Sequence, residues 1–133
     1  MNPAEPDAGA TEPDTLHYRE ATDLGAVREF VRGHALALGM SESRTELLML
    51  AVNELATNTM QHTSGGGRVR VWADAGQLVC DVVDQGPPRT FRRPMPSPDA
   101  VSGRGLAIVE RICDQVESVS APDGTTVRMR LHL

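Results

Sequence analysis

With 133 residues and a formal net charge of −5, the chain suits one compact domain with one core, and its acidity argues against nucleic acid as a direct partner. Aromatics are 3% of the residues against 40% for the apolar set, so Val, Leu, Ile, Ala and Met must build the core. All thirteen basic residues are Arg, which excludes lysine-dependent chemistry such as a P-loop Lys or a Schiff base.

Residues 1–14 carry Pro, Ala and acid without periodicity, the composition of a disordered tail; residues 15–133 are read as a single domain. The stretch 16–21 alternates as a first strand. Leu24, Val27, Val31 and Leu38 then mark a helix opened by Thr22 or Asp23 and stopped at Gly39. A second helix begins near Ser41 or Ser43, where Ser43 and Glu46 have the spacing of a capping box, and it ends in the glycines of 63–67. Its core stripe is read as Leu47, Ala51 and Leu55, at i, i+4, i+8.

The period then falls to two. Val69, Val71 and Ala73 alternate with Arg68, Arg70, Trp72 and Asp74; residues 74–77 turn the chain into a second strand, 78–84. A Pro- and Arg-rich loop follows, a lid at about 87–102, long enough to suggest a binding loop. A helix is expected from Arg104 to Gln115, with Leu106, Val109, Ile112 and Val116 inward. Strand 116–120, turn 121–124 and strand 125–133 close the chain, with Val127, Met129, Leu131 and Leu133 on one face. The order β-α-α-β-β-loop-α-β-β predicts an α+β fold: a two-layer α/β sandwich, helices on one face of a mixed, mostly antiparallel sheet. Cys80 and Cys113 each lie in an apolar run and read as buried free thiols. No apolar run nears the roughly 20 residues of a transmembrane helix. The N-terminus also lacks the basic-then-apolar pattern of a signal peptide, so a cytoplasmic protein away from membranes is expected.

Three placements depart from a plain amphipathic domain. Glu54 and Asn58, one turn apart, flank the buried stripe of the second helix. Asp84 shares parity with Leu78, Cys80 and Val82, so a carboxylate points inward at a strand end and needs a partner or a ligand; capping the turn that follows is the alternative. Gly86 beside it permits close backbone approach. Gly103 and Gly105 open an apolar helix with Ser102 as a candidate cap, which is either a phosphate site or a flexible helix entry. In this order the three suit the parts of Mg·ATP: Asn58 as an oxygen ligand of Mg²⁺, Glu54 as acceptor of a proton from an attacking hydroxyl, Asp84 as acceptor from an adenine amino group, and the glycines at the phosphates.

On these residues the chain resembles the GHKL (Bergerat-fold) ATPases, and among them the small single-domain anti-sigma-factor serine kinases of the RsbW/SpoIIAB type. Residues 53–58 (NELATN) match the N-box, 84–86 (DQG) the G1 box, 103–110 (GRGLAIVE) the G2 box and 124–126 (GTT) the last box, over roughly residues 16–133. The resemblance implies Glu54 as general base, Asn58 as Mg²⁺ ligand and Asp84 as adenine reader. Gly86, Gly103 and Gly105 would contact nucleotide, Thr125 would contact phosphate, and Ser102, Arg104 and Leu106 would line the G2 segment. Arg104 reaches phosphate or is a solvated arginine; His62 sits at the pocket mouth or caps its helix. ATP and Mg²⁺ are the implied cofactors. The implied work is to sequester a sigma factor and to phosphorylate a serine of a STAS-type anti-anti-sigma partner, with a homodimer as the family's usual state. The competing reading is an ATP-binding partner-switching module with little or no phosphotransfer. A detached histidine-kinase catalytic domain is less expected, because no phosphoacceptor helix precedes the boxes. The lid, with Arg89, Arg92 and Arg93 among its prolines, has no counterpart in the family pattern.

Overall fold

The structure, a computed structural model, describes residues 14–62, 66–84, 101–121 and 124–133. Strands β1 (Thr15–Tyr18), β2 (Gly67–Asp74), β3 (Gln77–Asp84), β4 (Gln115–Ala121) and β5 (Gly124–His132) form one sheet in the order β1-β2-β3-β5-β4. Every ladder in it is antiparallel, so the sandwich stands as expected, with no parallel pair in it. Helices α1 (Leu24–Ala37), α2 (Glu42–His62) and α3 (Val101–Ile112) pack over one face, α2 between the other two.

The core lies between the helices and the inner face of the sheet. Val69, Val71, Leu78, Cys80, Val82, Val127, Met129 and Leu131 meet Val27, Val31, Leu48, Ala51, Val52, Leu55, Ala56 and Val109 there. With period-two strands, these sheet residues all project to one side. β3 is the central strand and is buried on both faces, as its double run of valines implies. The turn from β2 to β3 puts Ala75 at φ 54° and Gly76 at φ 80°. Two successive positive φ values are what a tight hairpin needs to match strand twist.

Several expectations are corrected. Leu47 is 48% exposed, and Leu48 takes the core position beside Ala51, Val52 and Leu55. The cap of α2 is Ser41, whose Oγ accepts from the Arg44 amide at 3.3 Å. Before α1, a short 3₁₀ turn (Ala21–Asp23) opens the helical segment. Asp23 accepts from the amides of Arg19 and Glu20 at 2.8 and 2.9 Å, so it works backwards as the acidic half of a capping box. α3 stops at Ile112, and Val116 belongs to β4. Ala73 and Leu133 are exposed at strand ends. Cys80 and Cys113 are free and buried, as expected. Burial pushes the Cys80 thiol well up and the Cys113 thiol up to about 12; each apolar surrounding disfavours a thiolate.

The outer face of the sheet carries its own structure. Asp81, fully buried, accepts from Arg128 Nε and from one of its terminal nitrogens, both at 2.8 Å, and from Arg70 at 2.8 Å. The two guanidinium carbons lie 5.9 Å (Arg70) and 5.1 Å (Arg128) from the centroid of the Trp72 ring. Val79, Asp81 and Val83 of β3 are therefore covered by long side chains and not by a helix layer.

Candidate functional site

Four residues define one end of the sheet. Tyr18 pairs with Gly67, Gly67 with Asp84, and Asp84 with Thr125, a row across β1, β2, β3 and β5. The alternation of β3 directs Asp84 to the same side as Leu78, Cys80 and Val82, under the helices. Asp84 is 4% exposed and Thr125 2%. Gly67 is required where it stands: a Cβ there would come within 2.6 Å of the Tyr18 hydroxyl and 2.5 Å of the Val83 carbonyl oxygen.

The last turns of α2 cross this row. Thr59 donates its hydroxyl to Asp84 Oδ2 at 3.0 Å, and Tyr18 donates to Thr59 Oγ1 at 3.0 Å. A buried carboxylate needs charge-assisted hydrogen bonds to persist, and Thr59 provides one from the helix layer. Asn58, the residue before it, is 4% exposed, and its Nδ2 is buried with no hydrogen-bond partner among the described residues. Such an unmet donor costs about 1–3 kcal/mol and calls for an explanation. A ligand rich in oxygen atoms at this point supplies one.

Glu54 lies one turn before Asn58 on α2, half-buried. Among the described residues it forms no hydrogen bond or ion pair, so no structural tie accounts for its carboxylate. The first residue of the same motif has a different task. Asn53 accepts from Arg28 at 3.0 Å and ties α2 to α1. Among the described residues, a cavity of about 270 Å³ opens between these helices, lined by Arg28, Glu46, Met49, Leu50 and Asn53. None of the predicted site residues lines it.

The structure thus places Asp84 and Thr125 side by side at one end of the sheet and joins Asp84 to α2 through Thr59, the residue after Asn58, with Glu54 one turn earlier on that helix. Thr125 sits directly opposite Asp84 in the β3–β5 ladder. His62 is the final residue of α2, and Ser102, Gly103, Arg104, Gly105 and Leu106 fall in the first two turns of α3. Ser102 is therefore inside that helix and is not its cap. Gly86 and nearly all of the lid, 87–100, lie outside the described residues, as does most of the N-terminal tail. Tyr18 and Thr59 escaped the sequence reading. Their only signal was polarity at inward-facing positions, and their pairing spans 41 residues.

The model of a family described as "Histidine kinase-like ATPase domain" matches residues 19–131. No curated protein sequence matches the chain. Among solved structures, the RsbU and RsbW domains of Rv1364c from Mycobacterium tuberculosis align with TM-score 0.66 at 20% identity, covering 92% of this chain and 33% of that one. The blue-light-activated histidine kinase of Erythrobacter litoralis EL346 aligns with TM-score 0.53 at 20% identity, covering 83% and 42%. The histidine kinase domain of the E. coli osmosensor EnvZ aligns with TM-score 0.50 at 19% identity, covering 95% and 92%. The chain spans about a third of the first of these and less than half of the second. At such identities the likeness is one of fold.

Proposed function

The chain belongs to the histidine kinase-like ATPase domain family, an ATP-binding domain of kinase type. On that premise we propose that it is an anti-sigma factor and serine protein kinase. It binds ATP with Mg²⁺, transfers phosphate to a serine of a STAS-type anti-anti-sigma partner, and controls transcription by sequestering a sigma factor. A homodimer, acting in the cytoplasm, belongs to the same reading. The observation that carries it is the pair Asn58 and Asp84: among the described residues the buried amide of Asn58 has an unmet donor, and the buried Asp84 carboxylate is held by Thr59, the residue next to Asn58. A solved relative that contains an RsbW domain supports the anti-sigma branch over the histidine-kinase branch.

Each residue has a distinct part in this reading. Asp84 accepts from the adenine amino group. Asn58 would hold Mg²⁺ through its amide oxygen, and the ion would supply charge neutralisation for phosphoryl transfer. Glu54 takes the proton of the attacking serine hydroxyl. Gly86, Gly103 and Gly105 let the backbone come close to the nucleotide; Ser102, Arg104, Leu106, Thr125 and His62 complete its surroundings. Among the described residues no group of three or more His, Cys, Asp and Glu could hold a metal by itself. In this reading Asn58 would share the Mg²⁺ shell with phosphate oxygens and waters.

The test is phosphotransfer from labelled ATP to the purified STAS partner, wild type against Glu54→Ala. General-base assistance is worth about 10²–10⁴-fold, so labelling should fall by that order in the variant while ATP and partner affinities hold. A wild type that binds the partner without labelling it would leave a partner-switching module and overturn the kinase.

A further inference from the structure

Tyr18 and Thr59 belong to none of the motif boxes, yet both converge on Asp84. Both side chains are buried, from different layers: Tyr18 from the edge strand β1 and Thr59 from α2. The Thr59 oxygen receives the Tyr18 proton at 3.0 Å and lies 3.0 Å from Asp84 Oδ2 and 3.1 Å from the Leu55 carbonyl. A hydroxyl has one proton to give. With a carboxylate and a neutral carbonyl competing for it, the charged acceptor makes the stronger bond. The Tyr18 donation adds to this, because a hydroxyl that accepts a hydrogen bond is polarised to donate more strongly. The clearance over Gly67 is what admits the tyrosine hydroxyl to this point.

We infer that Tyr18 and Thr59 are positioning residues. They form a two-hydroxyl relay that fixes the plane of the Asp84 carboxylate, and thereby set the site's preference for a 6-amino over a 6-oxo purine nucleotide. This rests on the reading of Asp84 as the group that meets the base. A carboxylate held in one orientation accepts from a 6-amino group; the same carboxylate faces the lone pairs of a 6-oxo group and repels them. A site built to pair with one hydrogen-bonding group rejects an analogue that lacks it, because its buried polar group is then unmatched. A carboxylate free to rotate loses part of that discrimination.

The experiment is calorimetric titration of ATP and ITP, each with Mg²⁺, into wild type, Thr59→Val, Thr59→Ser, Tyr18→Phe and Asp84→Asn. The readout is the ratio of the two dissociation constants, which general loosening of the fold would leave unchanged because it weakens both nucleotides alike. Wild type should prefer ATP, and Asp84→Asn should collapse the ratio. Thr59→Val, which keeps the shape of threonine without its hydroxyl, should lower the ratio by about tenfold, the order of one hydrogen bond to a charged group. Tyr18→Phe should lower it by a smaller factor, and Thr59→Ser should restore it. A ratio that stays at the wild-type value in both Thr59→Val and Tyr18→Phe, while Asp84→Asn collapses it, overturns the relay. A wild type indifferent to the base, or an Asp84→Asn variant with the wild-type ratio, overturns the Asp84 reading and the relay with it. Should Thr59→Val fail to fold, Tyr18→Phe and Thr59→Ser carry the same decision.

Discussion

Asp81 and Asp84 stand three residues apart on β3, both withdrawn from solvent, on opposite faces of the same sheet. Asp81 meets two guanidiniums, three hydrogen bonds of 2.8 Å in all, and its partners in turn lie against Trp72. Asp84 meets a threonine hydroxyl from α2, and the residue before that threonine, Asn58, has a buried amide donor unmet among the described residues. Burial alone does not separate a structural carboxylate from a functional one. The chemistry around them does: two guanidiniums neutralise Asp81 in the outer cluster, while the Thr59 bond to Asp84 lies next to a helix amide whose buried donor is unmet among the described residues, which suits a ligand.

The contrast breaks most visibly if the two residues are exchanged in importance. Asp81→Ala should cost about 3 kcal/mol or more of stability, since it removes the fully buried carboxylate that both largely buried guanidiniums bond at 2.8 Å. Urea unfolding would report it, and nucleotide affinity measured well below the transition should remain that of wild type. A denaturation midpoint at the wild-type value would mean that the outer cluster contributes little. Asp84→Asn should do the reverse. It should weaken ATP by something like the ~1.5–3 kcal/mol of a charged hydrogen bond and move the melting temperature only slightly; unchanged affinity by calorimetry would remove Asp84 from the site.

The dry part of the inner face gives a third test. Cys80 and Cys113 have folded-state pKa values above the ordinary 9.0. In that range the unfolded chain loses thiol protons that the folded chain keeps, so stability is fully present below pH 9 and falls as pH rises towards about 12. The slope should be about 1.4 kcal/mol per pH unit for each thiol. Thermal melts between pH 8 and 10 on wild type and on Cys80→Ala/Cys113→Ala would show it. A double variant with the same alkaline slope would assign that slope elsewhere.

The smallest effect separates two orphans. Among the described residues Thr45 Oγ1 is buried in α2 without a partner, as Asn58 Nδ2 is. Replacing an unsatisfied buried group by an apolar one of similar shape is neutral or stabilising, by about 1 kcal/mol at most. Thr45→Val and Asn58→Leu should therefore both melt at or slightly above wild type. Only Asn58→Leu should lose Mg²⁺-dependent ATP binding; equal binding by both variants would make Asn58 a packing residue.

Much of this was legible before any coordinates. Glu54, Asn58 and Asp84 showed themselves because their positions violate a strong local period, and local periods are fixed by helix and strand geometry. Leu47 misled for the same kind of reason. In the run 47–50 every residue is apolar, so the sequence does not set the helix phase there; tertiary packing does, and it buries Thr45 and Leu48. The cap of α2 is Ser41, one of two serines two positions apart that both satisfy the rule, so the sequence left the choice open. The Tyr18–Thr59–Asp84 chain and the Arg70–Asp81–Arg128 cluster were invisible. Each depends on strand register and on contacts between distant segments, which no local pattern encodes.

Trp72 is the sequence's single tryptophan, and it lies with the two guanidiniums on the face turned away from Asp84. Its emission is therefore a spectroscopic monitor of the ionic cluster. Nucleotide entering between helices and sheet should leave that spectrum nearly unchanged, whereas denaturation, or loss of Asp81, should shift it to the red as water reaches the indole. Intrinsic fluorescence titrations on this protein would accordingly under-report binding, and a fluorophore carried by the nucleotide is the appropriate probe of occupancy.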